Sequence, residues 1–146
     1  MKKTMKLTFV EELDVETQVF DWGRLYWLSE PEVTEAKNFS AGIVVLNQGK
    51  GHERHNHPGC EEILYIVSGE GYQVVELDSG QVERRVEAGV LIHIPPGIYH
   101  STVNIGKDLL RIVAIYAPPG PEKELRAMNG VVIEPPRRAT NFRSNT

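Results

Sequence analysis

The stretch Gly49–Gly69, GKGHERHNHPGCEEILYIVSG, decides how this chain is read. Its second half, EILYIVS, is a run of β-branched, aliphatic and aromatic residues closed by glycine, the signature of a strand ending in a turn. Its first half holds three of the five histidines in the chain, then the acid pair Glu61-Glu62. Side chains alternate faces along an extended backbone, so His55 and His57 point the same way. Glu62 follows the turn Pro58-Gly59-Cys60 and can come back toward the same spot. Two imidazoles and one carboxylate suit a single metal ion, and a fourth donor has to come from elsewhere. The well-placed one is His100, just after IPPGIY.

Outward from this stretch the same pattern repeats. Short apolar runs fall at 24–29, 41–47, 62–68, 72–77, 81–87, 90–95, 100–105 and 109–116, separated by NQGKG, SGEG, LDSGQ, PPG and NIGKD. Eight strands at near-regular spacing, with no long helical period between them, predict an all-β barrel or sandwich. The segment 121–128, PEKELRAM, predicts one short helix near the C-terminus, started by Pro121 and stopped by Asn129-Gly130. Part of the N-terminal KLTFVEELDVETQVFDWG adds an edge strand. The reading is one domain over 1–133, then a polar, loosely held tail over 134–146 whose one core residue is Phe142.

Bulk properties bound the function. A chain of 146 residues suits one domain and can bury roughly 68–70% of its unfolded surface. A net charge of −4 gives no basic stripe for nucleic acid. No apolar run approaches the ~18 residues of a membrane span. The opening MKKTMKLTFVEELD lacks the apolar stretch of a secretory signal, and the single Cys60 can form no internal disulfide, so a cytoplasmic location is expected.

Two spaced patterns then carry a resemblance. Gly49, five residues, His55-x-His57, four residues, Glu62, six residues and Gly69 resembles the first motif of the cupin superfamily. Gly89, five residues, Pro95-x-Gly97, two residues, His100, three residues and Asn104 resembles the second, with 19 residues between Gly69 and Gly89. The resemblance covers residues 40–116 and implies a small single-domain metal-binding cupin. Its fold would be a double-stranded β-helix, the jelly-roll barrel. It further implies one divalent transition metal (iron, manganese, nickel, zinc or copper) held by His55, His57, Glu62 and His100, and a homodimer that covers exposed strand edges.

Neighbouring residues are read from parity and composition. Glu61 is the rival to Glu62, but leaves seven residues rather than six before Gly69. Glu53 lies two before His55, shares its face in an unbroken strand, and is the candidate catalytic base. His52 has the opposite parity and is expected to face away. His93 reads as a packed or interface residue, and Cys60 as a small residue in a tight corner. Tyr26, Trp27, Tyr72, Tyr99 and Arg111 are candidate pocket residues. Trp22, Tyr26 and Trp27 together are read as an exposed strand that a partner subunit covers. Asn104 steadies a ligand or the barrel.

Three functions fit such a site. The first is an enzyme that isomerises or tautomerises an oxygenated small molecule, such as a keto sugar or sugar acid, with the metal as Lewis acid. The second is an iron-dependent dioxygenase. The third is a non-catalytic small-molecule sensor or binding module.

Overall fold

Alternation along the strands builds the layers. In the computed structural model, which describes residues 6–138, strand β10 (Leu110–Ala117) turns Leu110, Ile112, Ala114 and Tyr116 inward. Strand β5 (Glu61–Ser68) does the same with Glu62, Leu64 and Ile66, and β3 (Ser40–Leu46) with Val44 and Leu46. The seven-stranded sheet these strands form has the order β11-β1-β2-β3-β10-β5-β8. Its remaining members are β1 (Thr17–Phe20), β2 (Gly23–Ser29), β8 (Leu91–Ile94) and β11 (Val132–Glu134). A four-stranded sheet runs β4-β9-β6-β7, from β4 (Gly51–His55), β9 (His100–Asn104), β6 (Glu70–Leu77) and β7 (Gly80–Glu87). Every pairing is antiparallel. Two sheets whose inward residues interdigitate make a jelly-roll β-barrel, the fold class the sequence predicts.

All eight predicted runs are strands, displaced by no more than two residues at an end. The ambiguous N-terminal segment supplies β1, which lies second from the edge because β11 pairs outside it. The C-terminal helix α2 spans Pro121–Arg126, with Pro121 in its first turn as read from sequence. A further short helix, α1 (Pro31–Thr34), and a 3-10 turn at Glu12–Asp14 were not foreseen. The segment after 133 is more engaged than the sequence suggested. Glu134 pairs with Thr17, and Arg138 donates its amide to Leu13 and forms ion pairs with Glu11 and Asp14. Residues 139–146, Phe142 included, lie outside the described residues.

The main core holds Leu25, Trp27, Leu46, Ile66, Ile94, Leu110 and Ile112, all at most 2% exposed. Trp27 and Tyr26 correct the expectation of an exposed aromatic strand. Trp27 is wholly buried, its indole N–H donating to Gln18 Oε1 at 3.1 Å. Tyr26 packs on the outer side of the same sheet with Val15 and Val45, under Val10, Leu28 and Val33. The chain's own N-terminal segment and α1, not a partner, cover that face.

One glycine matters for the site. A Cβ on Gly51 would stand 2.0 Å from the Thr102 carbonyl oxygen, so only glycine lets β4 lie this close to β9. That contact aligns the two strands that carry His55 and His100.

Candidate metal centre

In the β4–β9 ladder Gly51 faces Val103, His52 faces Thr102 and His55 faces His100. His55 comes three positions after His52 on β4, yet His100 and Thr102 are only two positions apart on β9. The surplus residue makes a β-bulge, which sends Glu53 and Arg54 out to solvent and turns both His52 and His55 inward. This corrects two expectations based on unbroken alternation. His52 lines the barrel cavity, and the Glu53 side chain is exposed and does not reach it. Arg54, outside, pairs with Glu76 at 2.6 Å and stacks over Tyr99 at 3.9 Å.

Each imidazole is held in a defined way. His55 Nδ1 lies 2.6 Å from the Glu53 carbonyl and His100 Nδ1 lies 2.9 Å from the Ile98 carbonyl. A carbonyl only accepts, so Nδ1 carries the proton in both rings and Nε2 keeps its lone pair. His57, on the turn after β4, is buried with neither nitrogen hydrogen-bonded. One ring nitrogen from each of His55, His57 and His100 can be chosen so that all lie within 4.8 Å of one another.

Glu62 closes the group from β5. Its Oε1 lies 3.0 Å from His100 Nε2 and 3.9 Å from His57 Nε2, yet neither Oε1 nor His100 Nε2 makes a hydrogen bond. The Tyr116 hydroxyl donates to the Glu62 carboxylate, and burial, then that negative charge, pushes the tyrosine pKa well up. Glu61 points the other way. It is 53% exposed at its side chain against 3% for Glu62, and contacts the exposed His93 ring.

Burial is the main force on the histidines. It lowers His55 to about 4, with His100 adding to the effect and the Glu53 carbonyl opposing it, and it lowers His57 as well. His52 falls to about 3, again chiefly through burial. These rings are therefore neutral near pH 7, the form that binds metal. Buried polar atoms on His57, His100 and Glu62 that face one another without a hydrogen bond are costly unless a cation joins them. The donor set, imidazole nitrogen with a carboxylate oxygen beside it, fits a divalent transition metal.

Beside these residues lies a cavity of about 20 Å³, room for one water-sized group. Its wall is apolar at Val44, Leu46, Leu64 and Ile112, and polar at His52, Thr102 and Tyr116. Other sequence candidates lie elsewhere. Arg111 pairs with Glu12, Tyr99 stacks under Arg54, Tyr72 faces the edge strand β7, and Cys60 is buried with its Sγ 3.3 Å from the Pro118 carbonyl. Burial pushes the Cys60 thiol up to about 11, so it is inert at neutral pH. Asn104 steadies the barrel, bonding Leu46 and Asp108 carbonyls and the Gly106 amide. Sequence reasoning missed His52 and Tyr116. Tyr116 had a legible signal, since it shares parity with Ile112 and Ala114, but its meeting with Glu62 depends on the β10–β5 register.

Known proteins resemble this chain over parts of its length. Polyketide synthase CurC of Streptomyces cyaneus is 28% identical over 121 residues, 83% of this chain and 76% of that protein. Acireductone dioxygenase of Yarrowia lipolytica is 35% identical over 66 residues, 44% of this chain and 38% of that protein. Oxalate decarboxylase of Bacillus subtilis, a protein with Mn(II) centres, superposes with a TM-score of 0.61 at 24% identity. That match covers 66% of this chain but only 26% of the decarboxylase, so the likeness is one of fold. The cupin-domain family matches residues 42–116, just over half the chain. That span contains β4, β5 and β9 with the histidines and Glu62 they position, and the chain belongs to the cupin family.

Proposed function

We propose that this chain is a metal-dependent enzyme whose single divalent metal is held by His55, His57, His100 and Glu62, and that it isomerises or tautomerises a small oxygenated substrate such as a keto sugar or sugar acid. One observation carries this reading: buried polar atoms of His57, His100 and Glu62, none of them hydrogen-bonded, converge on the point His55 also faces. When bound, the metal supplies Lewis acidity that polarises a substrate oxygen.

The chain's own residues do the rest. The Glu53 and Ile98 carbonyls fix the His55 and His100 rings, and Tyr116 fixes the Glu62 carboxylate. Val44, Leu46, Leu64 and Ile112 keep bulk water out. The small cavity admits a terminal oxygen of the substrate rather than its whole body. Glu53 takes no part, because its side chain stands outside.

A second reading, an iron-dependent dioxygenase, draws on the local likeness to acireductone dioxygenase. The tests run together. Protein purified without a histidine tag should carry about one metal per chain by elemental mass spectrometry, lost in a His55→Ala/His57→Ala variant. Two tag-free preparations equally free of metal after reloading would overturn the metal reading. Substrate turnover that needs oxygen would move the assignment to the dioxygenase. A homodimer fits the exposed Tyr65, Val67 and Leu91 on the outer face of β5 and β8, and sedimentation velocity tests it.

A further inference from the structure

The polar groups that face the cavity are few, and all but one are committed. Thr102 donates its hydroxyl to Gln73, and Tyr116 donates to Glu62. His55, His100 and Glu62 face the metal point. His52 is the exception. Its ring stands edge-on to Trp22 at 4.3 Å and to His55 at 4.7 Å. Neither of its nitrogens has a hydrogen-bond partner among the described residues. It is also outside the cluster of His55, His57 and His100 whose atoms come within 4.8 Å.

A phenyl ring would fill the same space between Trp22 and His55 without desolvating polar atoms. The imidazole offers what the apolar wall lacks, a ring with one N–H donor and one acceptor lining a cavity of about 20 Å³. We propose that His52 is a substrate-binding residue, whose imidazole hydrogen-bonds the carbonyl or hydroxyl oxygen that enters this cavity, with Trp22 and His55 bracing its ring. The assignment rests on the metal reading above. It gives the site a specificity: substrates that present an oxygen to the metal are retained, and alkyl ends are not.

The test uses the full chain loaded with cobalt(II) and azide as the probe, followed by visible absorption. His52→Phe and His52→Leu remove the hydrogen bond with two different side-chain volumes, so a misfit of one shows in its melting temperature. His52→Gln retains a donor and an acceptor. All three should take up cobalt as the unaltered chain does. Azide affinity should fall about tenfold in the phenylalanine and leucine variants, the worth of one hydrogen bond to an anion, and recover in the glutamine variant. Unchanged azide affinity in the folded apolar variants overturns the proposal. Loss of cobalt from those variants also overturns it, by making His52 a ligand. Failure of the unaltered chain to take up cobalt is a different result: it overturns the metal reading, and this assignment falls with it.

Discussion

Strand β9 buries three polar residues on one face, His100, Thr102 and Asn104, and the outer two have opposite fates. Asn104 is 1% exposed and fully satisfied: its amide donates to the Leu46 and Asp108 carbonyls at 3.0 and 2.8 Å and accepts from the Gly106 amide at 2.9 Å. His100 is 2% exposed, and its Nε2 faces Glu62 Oε1 at 3.0 Å without a hydrogen bond to it. Burial is the same, so burial alone does not mark function. A closed set of hydrogen bonds marks architecture, and an open set of acceptors marks a place for something else.

Replacing each residue with alanine breaks the comparison if it is wrong. Asn104→Ala strands two carbonyls and one amide in the interior, so unfolding by urea should show a loss of about 3 kcal/mol, with metal still bound by the folded fraction. His100→Ala removes an acceptor that has no partner in the metal-free chain. It also frees the Ile98 carbonyl that Nδ1 holds, so it should cost the metal-free protein about 1–2 kcal/mol, less than Asn104→Ala, and abolish metal uptake. A His100 variant destabilised as much as the Asn104 variant, measured without metal, would return His100 to the structural class.

Acid tests the same contrast through the neighbouring strand β4. His55 and His52 are depressed to about 4 and about 3, chiefly by burial, from an ordinary value of 6.5. Below 6.5 the unfolded chain binds protons that the folded chain refuses. Their contribution to stability is therefore complete above pH 6.5 and is lost as pH falls toward 4. The slope should be on the order of 1 kcal/mol per pH unit for each ring in the chelated protein. Asn104 does not titrate, so Asn104→Ala should shift that curve down without changing its slope. A flat stability curve from pH 7 to 5 in the chelated protein would contradict the burial of these rings.

Much of this contrast is legible in the sequence, and the exceptions have a common cause. Strand alternation and turn residues place all eight runs, and the spacing from His57 to Gly69 favours Glu62 over Glu61. Features that depend on how one strand meets another are not legible. The bulge that turns His52 inward and Glu53 outward exists only as a mismatch between β4 and β9. Tyr116 reaches Glu62 because the two are register partners across β10 and β5. Trp27 and Tyr26 look like an exposed pair until α1 and the residues before β1 are folded over their sheet.

The smallest expected effect sharpens the comparison most, because it sets two chemically identical neighbours against each other. Glu61 and Glu62 differ only in parity. Glu62 Oε1 is buried among imidazoles, whereas Glu61 meets the exposed His93 ring on the outer face. Glutamine keeps the shape and removes the charge. Glu62→Gln replaces a charged ligand by a neutral one and should weaken metal binding by at least the roughly 10–100-fold seen when only the groups supporting the ligands are altered. Glu61→Gln should leave metal affinity unchanged and stability within about 0.5 kcal/mol, as for an ordinary surface change. Competition with a chelator of known affinity reads the first quantity, and thermal melting reads the second. Metal lost from the Glu61 variant and retained by the Glu62 variant would mean that strand β5 presents the opposite face to the barrel, which would undo the site as well as the register that builds it.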